Sequence, residues 1–392
     1  MTGPMGIGVV GCGMVSHAYL GTIARSPSLE LRALASRTQA SAEAQALRYG
    51  GSAMSLDRLL ADPEIAIVVN LAPPAVHHAI GRQVLRAGKH LYSEKPFATT
   101  LADADELLEL AEREGLRVGC APDTFLGPGH QAVRRVIDDA AIGCVTSGAV
   151  AFGTSGMEGW HPNPSYFYQT GGGPILDIGP YYVTQLVNLL GPVAEVAAIG
   201  TTPRKQRIAT APGREGEMIE VEVPTTVNGA LLFEQGANIS VSLSWDVAAH
   251  RRHPIELYGD KGSLVAPDPN QFEGSMRITA DGTSWTTLGE SPPPRRIDSA
   301  TLATAMAALS KGIDPLTGGA AGPETALRFG DRRGIGLVDL AQAIGTGSVP
   351  RASGRLARHV LEVLLALEIS SKTGSRINIE SRVDRPQPVE MS

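Results

Sequence analysis

The chain has 392 residues, 43% of them hydrophobic, enough for two ordinary cores rather than one. Its 34 basic and 40 acidic residues are scattered and leave a net charge of −6, which provides no extended basic surface for nucleic acid or an anionic membrane and points to small-molecule partners. Cys12, Cys120 and Cys144 are widely spaced and form no CxxC pair, which argues against a disulfide framework or thiolate metal site; with no charged leader and no apolar run near the roughly 18–20 residues of a membrane helix, a cytoplasmic protein is expected.

From Ile7 to about Val118, short aliphatic runs alternate with longer amphipathic ones, the pattern of a parallel sheet with crossover helices. Strands are expected at 7–10, 29–35, 65–71, 90–93 and 116–120, with Ser55 and Thr100 capping helices between them. The first strand runs into GCGMVS at 11–16. Gly11 and Gly13 fall where the chain must turn tightly and let its backbone approach a pyrophosphate, whose charge the N-terminus of the next helix, opening near Met14 and Val15, would meet. Ser16 takes the third small position. Taken alone, a tight turn without a ligand is the competing reading.

A second strand ending in a carboxylate would select NAD, because that group accepts from the free ribose 2′-hydroxyl. Here the strand runs into ASRT, and Ser36, Arg37 and Thr38 offer two hydroxyls and a guanidinium with no carboxylate to repel a 2′-phosphate. NADP(H) is therefore favoured over NAD(H), against the alternative that Arg37 is a solvated loop arginine. Asn70-Leu71-Ala72-Pro73-Pro74 follows the third expected strand, with His77 opening the next helix, and Glu94-Lys95-Pro96 follows the fourth. Carboxyl ends of parallel strands are where open α/β sheets bind ligands, so Leu71, Ala72, Pro73, His77, Glu94 and Lys95 are candidate cofactor contacts. Pro96 fixes the backbone just after Lys95 and so directs its ammonium.

After Cys120 the character changes: GPG at 127–129, GGGP at 171–174 and SPPPRR at 291–296 separate strands of alternating polarity. The domain boundary is expected near Pro122, dividing 1–122 from 123–392. The clearest strand is 237–245, with Ile239, Val241, Leu243 and Trp245 on one face and Asn238, Ser240, Ser242 and Ser244 on the other. The serine face is either solvated or a flat self-association surface. Trp160, His161, Tyr166, Phe167 and Tyr168 crowd before the glycine run in a chain with only 5% aromatics. Aromatic faces beside polar tips suit a sugar ring, so Trp160, His161 and Tyr166 are candidate substrate contacts, and Asp123, ending the fifth strand, could bind a hydroxyl. The stretch from Arg355 to about Ser371 reads as a packing helix, with His359 a core or capping histidine. His250, Arg251, Arg252 and His253 read as a solvated loop rather than an acid-recognising one. No zinc site is expected, because no two histidines show helix-face spacing beside a carboxylate.

Taken together, GCGMVS at 11–16, NLAPPAVHH at 70–78, EKP at 94–96, GGGPILDIG at 171–179, YGDKGSL at 258–264 and the closing HVLEVLLALEIS helix resemble the Gfo/Idh/MocA family of glucose-fructose oxidoreductase and inositol dehydrogenase relatives. That resemblance implies an α/β fold: an N-terminal Rossmann dinucleotide-binding domain and a C-terminal α/β domain with a large open, mostly antiparallel sheet. It implies sugar, cyclitol or polyol substrates, and a homodimer or homotetramer formed through the sheet, which raises the standing of the serine face. It places catalysis on Lys95 and Asp177. The family pattern continues DxGxHxxD, whereas this chain reads DIGPYYVT, with Tyr181 in the place of the histidine and Thr184 in that of the second aspartate.

A tyrosine can move a proton beside a lysine ammonium, whose charge stabilises the phenolate. Lys95 and Tyr181 are therefore expected to share proton handling while Asp177 orients the substrate hydroxyl; Tyr181 as a pocket wall, or His161 as proton carrier, are the alternatives. The expected reaction is hydride transfer between a nicotinamide and a hydroxyl- or carbonyl-bearing carbon of a sugar, glycoside or cyclitol. Two other readings stand beside it: a glycosidase of the same fold working by transient oxidation and elimination, and a catalytically silent dinucleotide sensor, for which the missing histidine is the main argument.

Overall fold

The aliphatic runs of the first 120 residues assemble into one parallel sheet. In the computed structural model, which describes residues 3–289, 304, 305, 308, 313–328 and 330–390, its strands are β1 (Met5–Val10), β2 (Leu29–Ala35), β3 (Ser52–Ala53), β4 (Ile67–Asn70), β5 (His90–Ser93) and β6 (Val118–Cys120). Their order is β3-β2-β1-β4-β5-β6, every neighbour parallel. β4 is buried at all four positions, as a strand covered on both faces must be. The crossovers are α1 (Ser16–Arg25), α2 (Gln39–Tyr49), α3 (Leu56–Ala61), α4 (His77–Arg86) and α5 (Leu101–Arg113). Ser55 and Thr100 cap α3 and α5 by accepting from the backbone of Arg58 and Asp103.

Contacts divide the chain into two units, Met1–Asp123 with Ala305–Arg358, and Thr124–Thr304 with His359–Ser392. The sequence reading assigns all of 123–392 to a second domain, whereas residues 305–358 group with the first. The reason is a shared core. The helix Ile335–Thr346 buries Leu337, Leu340 and Ala341 in the cluster that holds Ile7, Val9, Leu34, Val69 and Tyr92. The SPPPRR connector at 291–296 lies outside the described residues.

The second unit is organised by a nine-stranded sheet of β7 (Val145–Gly153), β8 (Val193–Thr201), β11 (Thr226–Phe233), β12 (Asn238–Ser244), β13 (Ile255–Gly259), β14 (Ser263–Ala266), β15 (Met276–Thr279), β16 (Thr286–Leu288) and β17 (Ile377–Asn378), with β9 (Gln206–Ile208) and β10 (Met218–Glu220) forming a separate hairpin. The order is β16-β15-β14-β13-β7-β12-β11-β8-β17, antiparallel except between β7 and β12. β12 alternates as expected: Ile239, Val241 and Leu243 are buried while Asn238 and Ser240 are exposed. Ser244 is the exception, turned into a hydrogen bond with Thr226 at 2.6 Å. Helices α6 (Pro128–Asp138), α7 (Gly173–Asp177) and α8 (Gly179–Leu190) belong to this unit. Gly179 lets the start of α8 pack close against Leu364, since a Cβ there would lie 2.5 Å from that side chain. His359 is fully buried, accepting from the backbone of Val193 at 3.1 Å and paired with Ser381 at 2.8 Å.

No helix among the described residues is long and apolar enough to cross a membrane, and none of their His, Cys, Asp and Glu side chains form a metal-holding group. All three cysteines are free thiols.

Candidate active site

The cofactor candidates gather at the carboxyl ends of β1, β2, β4 and β5. Gly11 follows β1 with φ of 102°, a conformation that disfavours side chains, and a Cβ there would sit 2.6 Å from the Leu71 carbonyl. The turn thus approaches the β4 loop more closely than any other residue would permit. Gly13 is exposed, and a Cβ there meets nothing within 4 Å, so its backbone borders open space just before α1. Met14 and Val15, half-buried, lead into the helix, which has no side-chain cap and no acidic residue in its first turn. Its positive end is left for an anion. This donor set fits a dinucleotide pyrophosphate. At the end of β2, Ser36 is half-buried and Arg37 exposed, while the Thr38 hydroxyl is engaged as the cap of α2, accepting from Ser41.

Three residues from the sequence reading are turned inward. Glu94 is buried beside Lys95; its Oε1 accepts from the Tyr19 phenol at 2.8 Å and its Oε2 from the Lys95 amide at 2.8 Å, so the carboxylate anchors the lysine's backbone rather than facing a cofactor. His77, 1% exposed, likewise does not face a ligand: Nδ1 lies 2.7 Å from the Pro96 carbonyl oxygen and Nε2 2.7 Å from that of Ala72. Burial holds its pKa below the ordinary value. Asp123, expected at the substrate, is also inside the fold. Its Oδ2 accepts from Gly334 at 2.8 Å and Gly336 at 2.9 Å, satisfying the open backbone donors at the start of Ile335–Thr346. Burial pushes its carboxyl up to about 6. Of the remaining loop candidates, Leu71 is buried, Ala72 half-buried and Pro73 exposed.

In the second unit, Asp177 ends α7 and is half-buried, and Tyr181 lies 6% exposed in the first turn of α8. Trp160, His161 and Tyr166 are half-buried on the preceding loop. The His161 ring is packed edge-on by Trp160 at 5.3 Å and Phe167 at 4.6 Å, and its Nδ1 accepts from the Asn163 amide at 3.0 Å. Burial lowers its pKa against the opposing charge of Asp177, which places those two residues within electrostatic reach of each other.

Arg207, which sequence reasoning missed, pins this loop from within the fold. It pairs with Glu158 at 2.7 Å and Asp246 at 2.6 Å and donates to the carbonyls of Ser155 and Trp245. In the sequence Arg207 stands between Gln206 and Ile208 with nothing to mark it as inward-facing, and such a residue reads as solvated; the structure instead buries it between exposed neighbours.

The family model described as the oxidoreductase family with an NAD-binding Rossmann fold matches residues 5–121, and that of the GFO/IDH/MocA C-terminal domain matches residues 130–265. The chain belongs to the Gfo/Idh/MocA family. Among Gfo/Idh/MocA relatives, it is 29% identical over 292 residues to the dTDP-3,4-didehydro-2,6-dideoxy-alpha-D-glucose 3-reductase of Saccharopolyspora spinosa, covering 72% of this chain and 81% of that one. It is 28% identical over 226 residues to the D-xylose dehydrogenase of Paenarthrobacter nicotinovorans, which is 54% of this chain and 56% of that one. The fold is shared with the crystal structure of an aldose-aldose oxidoreductase from Caulobacter crescentus, with a TM-score of 0.72, 22% identity and coverage of 96% and 99%. This Gfo/Idh/MocA chain is thus an oxidoreductase whose first unit is a nicotinamide-dinucleotide domain.

Proposed function

We propose that the chain moves a hydride between NADP(H) and a hydroxyl- or carbonyl-bearing carbon of a sugar, glycoside or cyclitol, with Lys95 as its principal proton-handling residue. The observation that carries this reading is the gathering of Gly11–Val15, the Ala72–Pro73 loop and Lys95 at the carboxyl edge of one parallel sheet. The sugar assignment draws on the dTDP-sugar reductase and the D-xylose dehydrogenase among its relatives. It draws also on the loop that presents Trp160, His161 and Tyr166 before Asp177, a set of faces and polar tips suited to a hydroxylated ring. The preference for NADP(H) rests on the exposed Arg37 at a strand end without a carboxylate.

A bound nicotinamide would supply the hydride acceptor or donor. The chain's own residues supply placement and protons. The Gly11–Val15 turn and the start of α1 would hold the pyrophosphate, and Ser36 and Arg37 the 2′-phosphate. Lys95 Nζ gives or takes the hydroxyl proton, Tyr181 shares that transfer, and Asp177 orients a hydroxyl. Burial lowers the His161 pKa and so favours the neutral imidazole, the form that can take up a proton.

The open face of the sheet, where Ile199 and Leu232 stand exposed near Ser240, supports a homodimer or homotetramer, which light scattering would measure. The function is tested with a panel of monosaccharides, glycosides and inositols, with NAD and NADP in parallel, followed by the absorbance of reduced nicotinamide. A sugar-dependent signal, larger with NADP, is the expected result. Glycoside cleavage without net cofactor change, or dinucleotide binding with no turnover on any polyol, would overturn it.

A further inference from the structure

An imidazole presents a nitrogen at each end of its ring, and a buried one is placed by whatever those two atoms meet. Both nitrogens of His77 meet backbone carbonyls, and the two carbonyls belong to different loops. Ala72 lies in the loop after β4, the one Gly11 packs against so closely that a Cβ would sit 2.8 Å from the Ala72 nitrogen. Pro96 directly follows Lys95 after β5. The ring therefore spans from the partner of the glycine turn to the residue beside the lysine.

Neighbouring bonds close the same frame. Asn70 Nδ2 donates to the His77 carbonyl at 3.1 Å, Asn70 Oδ1 accepts from Ala72 at 3.3 Å, and the Glu94 amide donates to the Asn70 carbonyl at 2.9 Å. A residue that only filled this space would be apolar, and one that bound the dinucleotide directly would keep a ring nitrogen for it.

We infer that His77 is a positioning residue: it ties the Lys95–Pro96 step to the loop beneath the glycine turn, so that the placement of Lys95 is set by the imidazole. This rests on the role proposed above for Lys95. The two ends of the ring do separate work. Nδ1 lies against the carbonyl of the lysine loop and Nε2 against that of the loop after β4; the neutral ring donates to one of them at a time and the imidazolium to both.

The amide of asparagine reaches the Nδ1 position and that of glutamine the Nε2 position, so H77N keeps the arm to Pro96 and H77Q the arm to Ala72. H77Q should lower kcat by tenfold or more, because a displacement on the order of 1 Å costs up to about a hundredfold. Its dinucleotide affinity should stay within about threefold of wild type. H77N should retain a kcat several-fold above that of H77Q. A wild-type kcat in H77Q, or a loss confined to dinucleotide affinity, would overturn the inference.

Labelling of the wild-type chain with diethyl pyrocarbonate, read by peptide mass spectrometry with and without NADP(H), requires neither turnover nor a folded variant. His77 should stay unlabelled in both states. Labelling that the dinucleotide blocks, or labelling in both states, would overturn the brace. A wild-type chain inactive on every sugar would instead remove the role of Lys95 while leaving the labelling result to stand.

Discussion

The guanidinium of Arg207 lies 5.0 Å over the ring of Tyr168, with its side chain only 1% exposed. Tyr168 donates to Glu158 and accepts from the Met157 amide, so the arginine, the tyrosine and two carboxylates clasp the loop that carries Trp160 and His161. Removing one partner of a buried ion pair leaves the others uncompensated. Arg207→Met should therefore destabilise the fold by about 3–5 kcal/mol, read as a lowered midpoint in urea with an unchanged slope. A loss below about 1 kcal/mol would mean that water already screens the cluster.

Lys95 sits where its backbone is held on both sides, by Glu94 at the amide and by His77 through the Pro96 carbonyl. Lys95→Ala leaves that backbone frame in place and removes the side chain beyond Cβ, the ammonium with it. Turnover should fall by about 10² or more, the scale of losing a general acid or base, while the dissociation constant for the dinucleotide changes little. Equal losses in binding and turnover would assign Lys95 to the cofactor rather than to the proton.

Strand type and position were legible where burial alone decides them. β2 and β5 occupy the expected bounds, and the alternation of β12 announces which face is covered. Side-chain direction was not legible. Topology places Asp123 and His77 at the binding edge, but whether they face a ligand or the interior depends on partners that local pattern does not reveal. For Asp123 the partner is Gly334, 211 residues away. Arg207 was invisible for the same reason, its carboxylates lying 49 and 39 residues off along the chain. The grouping of 305–358 with the first unit could not be read either, because the apolar stripe of Ile335–Thr346 fits any core and nothing local says which one.

Arg37 is exposed beside a strand end that carries no carboxylate, the arrangement that favours a 2′-phosphate. Hydrogen bonds to a charged group contribute about 1.5–3 kcal/mol, which corresponds to roughly a tenfold to hundredfold change in binding. Arg37→Ala should raise KM for NADP by that factor and leave KM for NAD nearly unchanged. The comparison of the two cofactors in one variant is the measurement, and a parallel change in both would place the arginine elsewhere in the chemistry.

The buried Asp123 carboxyl is pushed up to about 6 from an ordinary 3.8, so between those values the native chain keeps a proton that the unfolded chain has lost. Its contribution to stability is fully present below the lower value and is lost as pH rises through the upper one. At about 1.4 kcal/mol per unit, the whole window amounts to roughly 3 kcal/mol. His130 works in the opposite sense. It is fully buried and pulled down to about 4 from 6.5, so it remains neutral where the unfolded ring is charged, and its contribution is lost as pH falls through that window. The two partly cancel in the wild type. Asp123→Asn removes the first and keeps the second, so its unfolding free energy should rise more steeply with pH than that of wild type, by about 1 kcal/mol per unit between roughly pH 4 and 6. Urea unfolding of both chains across that range measures the difference, and parallel profiles would mean that the Asp123 carboxyl ionises in the usual range despite its burial.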